Sequence, residues 1–220
     1  MIFDSHAHYD DEAFDKDRDR LLSTLEEQGV GCIVNVGASF QGAKDSVELS
    51  MRYPHVYAAV GVHPDHVGEL DEAKMQQLRE MCAMKKTVAV GEIGLDYYWD
   101  KEPEVQNAQR YWFRRQMELA RETNLPVIIH SRDAAADTME VMKEVHAEEI
   151  PGVIHCYSYS GEMAQEFIND LFSTLRERML DLQYCKVVFV GGGAILLKRQ
   201  IETSGKVGTP FFVPKINANA

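Results

Sequence analysis

Short continuous apolar runs alternate along this chain with longer stretches whose apolar residues recur at helical spacing. The runs cover residues 1–3, 31–36, 56–62, 87–90, 126–129, 152–154 and 186–190. Helical patterns cover residues 15–28, 71–84, 107–123 and 134–145. Runs rich in β-branched residues and lacking polar alternation suit strands buried on both faces, and such strands separated by helices build a parallel sheet. Seven runs are more than most small open sheets hold, and they approach the eight strands of a TIM-type (β/α) barrel. The expected fold is therefore α/β, a TIM-type barrel in one domain over residues 1–220, with incomplete or altered last βα units.

The polar residues that matter sit where these runs end. His6 and His8 follow the first run, His63 the third, Glu92 the fourth, His130 the fifth and His155 the sixth. A barrel gathers the C-terminal ends of its strands at one mouth, where barrel enzymes place their chemistry. One strand-end histidine is usually a satisfied core residue. Several in the same position on successive strands point to a shared site.

Composition narrows the partners. With 45% hydrophobic and 26% charged residues the chain can bury an ordinary core. The formal net charge of −12 repels polyanions, which excludes a protein that coats DNA. An enzyme gripping one or two phosphates through metal ions and placed arginines remains open. Cys32, Cys82, Cys156 and Cys185 form no C-x-x-C pair and read as reduced thiols. The first residues carry no basic leader, and no stretch reaches the ~20 apolar residues of a membrane span. A cytoplasmic location, no membrane partner and no protein partner are expected.

In Asp4-Ser5-His6-Ala7-His8 the two histidines are two apart, so on a strand both face the same side and can hold one ion. An H-x-H pair alone is weak; its place at the end of the first strand strengthens it. Glu92, in Gly91-Glu92-Ile93-Gly94-Leu95-Asp96, can offer one oxygen to each of two ions, against the alternative of a strand-end salt bridge. Asp96 reads as structural or as part of the rim. His130 and His155 repeat one arrangement on two strands and suggest a second ion. Arg132 can grip a phosphate through its planar fork, and His63 reads as a substrate contact. A rim salt bridge and a loop-structural role are their respective alternatives.

Taken together and in order, Asp4-Ser5-His6-Ala7-His8, Gly61-Val62-His63-Pro64, Gly91-Glu92-Ile93-Gly94-Leu95-Asp96-Tyr97, His130-Ser131-Arg132-Asp133-Ala134 and His155-Cys156-Tyr157-Ser158 resemble the TatD family of metal-dependent deoxyribonucleases. The resemblance covers residues 1 to about 168 and leaves 169–220 divergent. It implies an amidohydrolase-like barrel in which His6 and His8 hold one divalent ion, Glu92 bridges, and His130 and His155 hold the other. The cofactors expected are one or two divalent ions, zinc, magnesium, manganese or similar, and the substrate is DNA, cleaved at phosphodiester bonds by a metal-activated water.

The resemblance also implies a final strand ending in Glu-Thr-Asp, whose Asp completes the first metal site. Here Glu202-Thr203-Ser204 is the nearest string, and no Asp follows Asp181. Three readings follow: a TatD-type deoxyribonuclease, another amidohydrolase-type hydrolase acting on amides or esters, and a metal-binding relative with impaired turnover.

Overall fold

A computed structural model describes residues 2–155, Tyr159, residues 186–189, Glu202 and residues 209–212. Six strands form one sheet: β1 (Ile2–Ala7), β2 (Val30–Val36), β3 (Val56–Val60), β4 (Thr87–Asp96), β5 (Val127–Arg132) and β6 (Gly152–His155). They stand in chain order, and every neighbouring pair is parallel. Between them run the helices α1 (Arg18–Thr24), α2 (Phe40–Arg52), α3 (Glu72–Cys82), α4 (Pro103–Thr123) and α5 (Ala135–Glu144). Strand order decides the architecture. A doubly wound open sheet reverses direction at a switch point, whereas a barrel adds each new strand beside the last. No reversal occurs across β1–β6.

Two further strands, β7 (Lys186–Phe189) and β8 (Thr209–Phe212), pair parallel with each other. β7 matches the last apolar run and β8 falls in the tail. Among the described residues no ladder joins them to the six-stranded sheet. Cys156, Cys185 and Thr203-Ser204 lie outside the described residues. Glu202 is helical and exposed.

The strands sort their side chains by the period of two. Ile33 and Asn35 of β2 face the helices, where Ile33 packs with Leu22 and Leu49, while Val34 and Val36 join Ala59, Ala89 and Ile128 in a cluster on the opposite face. Outside, α3 and α4 cover β3–β5 with Leu78, Phe113 and Met117, all essentially inaccessible. Burying each such side chain stabilises the fold by about 1.5–3 kcal/mol. The buried residues of α2 are Phe40, Gly42, Ala43, Ser46, Val47, Leu49 and Ser50, and the glycine and two serines among them break up the apolar period.

Two buried glutamines of α4 fasten the helix to strand ends. Gln116 accepts from the Val62 N–H at 2.8 Å and donates to the Val62 carbonyl at 3.1 Å, one residue before His63. Gln109 does the same for Asp96, at 3.0 and 3.2 Å, and also donates to Asp100 Oδ2 at 2.7 Å. Close approach of β4 to β5 requires glycine at 94: its φ is +142°, and a Cβ there would collide with the His130 carbonyl oxygen.

Candidate metal centre

β1 brings His6 and His8 to the mouth. The His6 N–H donates to Asp4 Oδ1 at 3.2 Å, turning the strand end. His8 Nδ1 donates to the Val36 carbonyl at 2.8 Å. A carbonyl only accepts, so Nδ1 carries the proton and a neutral His8 leaves Nε2 bare. That bare nitrogen lies 3.1 Å from His6 Nε2, which in turn is 3.3 Å from Glu92 Oε2.

The segment after β1 is held by Asn35, a fully buried residue of β2. Its Oδ1 accepts from the Tyr9 N–H at 2.6 Å, and its Nδ2 donates to Asp10 Oδ1 at 2.7 Å and Ser46 Oγ at 2.8 Å. His8 is thus tied to β2 through its own ring and through its neighbour's backbone.

Strict alternation would put Glu92 on the helix face with Val90. The β4–β5 register shifts between Val90 and Ile93, and Glu92 instead meets the histidines. Such irregularities commonly re-aim a side chain beside an active site. Its two oxygens address different partners: Oε2 faces His6, and Oε1 lies 3.0 Å from His130 Nδ1. His130 Nε2 lies 3.0 Å from Asp96 Oδ2. Asp96, expected as a structural or rim residue, is 1% exposed and also accepts from the Tyr98 N–H at 2.8 Å.

Charges follow from this packing. Burial pushes the Glu92 carboxyl up, but hydrogen bonds with His130 and His6 and the nearby His155 outweigh it and hold the group well below the usual carboxylate range. Burial pushes His130 down, yet Glu92 and Asp96 on its two sides raise it above an ordinary histidine. His63 is lowered to about 4 by burial and then by the His130 charge. His155 is lowered to about 4 by burial and then by His6. Among these half-buried histidines, His63 and His155 are kept neutral at physiological pH, the form that ligates metals or hydrogen-bonds as a neutral ring.

Among the described residues, ligand atoms cluster in two groups, each within 4.8 Å: His6, His8 and Glu92, and His63, Glu92 and His130. Nitrogens bound at about 2.0–2.1 Å around a tetrahedral ion sit about 3.3 Å apart. The 3.1 and 3.3 Å separations in the first group match that edge, so the donors fit a divalent ion in both chemistry and spacing. His155 enters neither group; its ring stacks on His6 with centroids 3.7 Å apart. His63 meets the His130 ring edge-on at 4.3 Å. The Asp65 N–H donates to His63 Nδ1 at 3.3 Å, so a neutral His63 carries its proton on Nε2, as a donor. Arg132 is exposed at the end of β5, over the Tyr98 ring.

Sequence reasoning passed over Asn35 and Gln109. Asn35 offered a signal, a polar residue inside an apolar strand run. Gln109 offered none, because a glutamine in an amphipathic helix reads as solvated.

The family model described as "TatD related DNase" matches residues 3–177. The chain belongs to the TatD family. Metal-dependent hydrolase YabD of Bacillus subtilis is 40% identical over 166 residues, 76% of this chain and 64% of that protein. The 3'-5' ssDNA/RNA exonuclease TatD of Escherichia fergusonii is 30% identical over 165 residues, 74% of this chain and 62% of that protein. The chain thus spans somewhat less than two thirds of these TatD relatives. Among solved structures, the TatD homologue YJJV of Escherichia coli K12 superposes with a TM-score of 0.69 at 30% identity, covering 77% of this chain and 65% of that one. An amidohydrolase from Saccharomyces cerevisiae shares the fold at a TM-score of 0.65 and 18% identity. These likenesses establish the TIM-type barrel expected from the strand pattern.

Proposed function

We propose that this chain is a metal-dependent hydrolase that cleaves phosphodiester bonds in DNA. The observation that carries the reading is the divided Glu92 carboxylate, with one oxygen toward His6 and the other toward His130. On this reading His6, His8 and Glu92 would hold one divalent ion. Glu92 and His130 would hold a second, with His155 the further ligand that the family resemblance implies. When bound, such ions activate water and neutralise charge on phosphoryl oxygens. His8 keeps Nε2 free for ligation through its bond to Val36, and Asp96 orients the His130 ring. His63 presents its Nε2–H to a phosphate oxygen, and Arg132 supplies the positive charge that the chain as a whole lacks. The exonuclease name of the Escherichia fergusonii relative supports a nucleic-acid substrate. No helix among the described residues is long and apolar enough to cross a membrane.

The test is release of nucleotides from a labelled DNA strand with and without added Mg²⁺, Mn²⁺ or Zn²⁺, beside ester and amide substrates. Metal-dependent cleavage of DNA alone supports the reading; cleavage of the ester or amide alone refutes it.

A further inference from the structure

Arg132 stands apart from the other arginines of the described residues. Arg18, Arg20, Arg52, Arg79, Arg110, Arg114, Arg115 and Arg121 each pair with a carboxylate. Among the described residues, no carboxylate lies within ion-pair reach of Arg132. Its guanidinium is held instead by an aromatic face, 3.8 Å from the centroid of Tyr98 and 5.7 Å from that of Trp99. Tyr98 and Trp99 meet edge to face at 4.6 Å and 88°. Both are exposed, Tyr98 by 43% and Trp99 by 66%.

The placement ties this corner to the candidate metal centre. Arg132 is two residues from His130 on β5, and the Tyr98 N–H donates to Asp96, which holds His130. Lys101 adds a second cation, 5.9 Å from the Tyr98 ring. A planar, electron-rich surface beside a guanidinium that pairs with no carboxylate among the described residues suits a nucleobase attached to a phosphate.

We propose that Trp99 is a stacking platform for an unpaired nucleobase of the substrate, with Tyr98 holding Arg132 against the adjoining phosphate. This rests on the phosphodiesterase reading and specifies where the nucleotide lies. The base must leave its own stack to reach Trp99, so duplex DNA binds less well than single strands.

The test measures binding in chelator, where no cleavage occurs. A fluorescein-labelled single-stranded decathymidylate and an abasic strand of the same length are titrated by anisotropy with the unsubstituted chain, Trp99→Ala and Trp99→Phe. Stacking of one base predicts that Trp99→Ala weakens decathymidylate binding roughly 5- to 150-fold. The abasic strand should bind both proteins alike, and Trp99→Phe should recover most of the loss. Equal decathymidylate affinity in Trp99→Ala, an equal loss on both strands, or no binding of either strand by the unsubstituted chain would overturn the proposal. Hydrolysis of methyl 4-nitrophenyl phosphate, a phosphodiester with a nitrophenyl leaving group, by the unsubstituted chain with Mn²⁺, tests the reaction separately. Its failure would sink the phosphodiesterase reading while leaving the stacking result standing.

Discussion

Replacing Gln109 with leucine removes an amide that no solvent can substitute. Gln109 is fully buried and satisfies both backbone groups of Asp96. Leucine has similar volume but no polar atoms, so the Asp96 N–H and C=O would be left buried and unpaired. Each such orphan costs about 1–3 kcal/mol, for roughly 2–6 kcal/mol together. No longer burying an amide returns about 1–2 kcal/mol, leaving a net loss of about 1–4 kcal/mol. In a domain of this size about 1 kcal/mol moves Tm by roughly 2–4 °C, so a fall of about 2–16 °C is expected. Urea unfolding followed by circular dichroism, with thermal melts beside it, measures this in chelated protein. Gln116→Leu, which orphans both backbone groups of Val62, should cost a similar amount without disturbing the Asp96–His130 contact. A loss below about 0.5 kcal/mol in Gln109→Leu, the scale of a neutral surface change, would refute the reasoning.

Two other outcomes are expected. His130→Ala combined with His155→Ala should remove one bound ion and leave the His6–His8 ion partly occupied; elemental analysis showing an unchanged metal-to-protein ratio would count against it. Metal-free protein should lose stability as pH falls from about 6.5 toward 4. In that window the unfolded chain protonates His63 and His155 while the folded chain, with both lowered to about 4, does not. Each contributes a slope of at most about 1.4 kcal/mol per pH unit. The raised His130 changes its contribution only above about 6.5, where stability is gained as pH falls toward that value, and Glu92 acts only below about 4.5. A flat urea midpoint between pH 6.5 and 4.5 would refute the assignment.

The barrel was legible because burial on both faces leaves strands without polar alternation, and six of the runs coincide with or overlap β1–β6. Strand lengths were not. β4 continues through Gly91–Asp96 and β5 through His130–Arg132, because the mouth ends of these strands trade apolar residues for the polar ones that serve the site. Convergence at the mouth follows from parallel strands in chain order, so the strand-end histidines could be named together. Pairings within the mouth could not. That His155 stacks on His6, that His63 meets His130, and that Asp96 braces the His130 ring depend on χ angles and on a register shift near Glu92, neither of which the residue order records.

The centre is most directly tested by metal content in the Glu92→Gln variant. Glutamine keeps the shape of the side chain and removes the charge that would bind two ions at once. Equilibrium dialysis against Zn²⁺ or Mn²⁺, followed by elemental analysis of the unsubstituted chain and the variant, reads the stoichiometry. The account predicts two ions in the unsubstituted chain and weakened occupancy of both in the variant, with its fold retained by circular dichroism. Two ions bound equally tightly by Glu92→Gln, or no divalent ion bound by the unsubstituted chain, would contradict it.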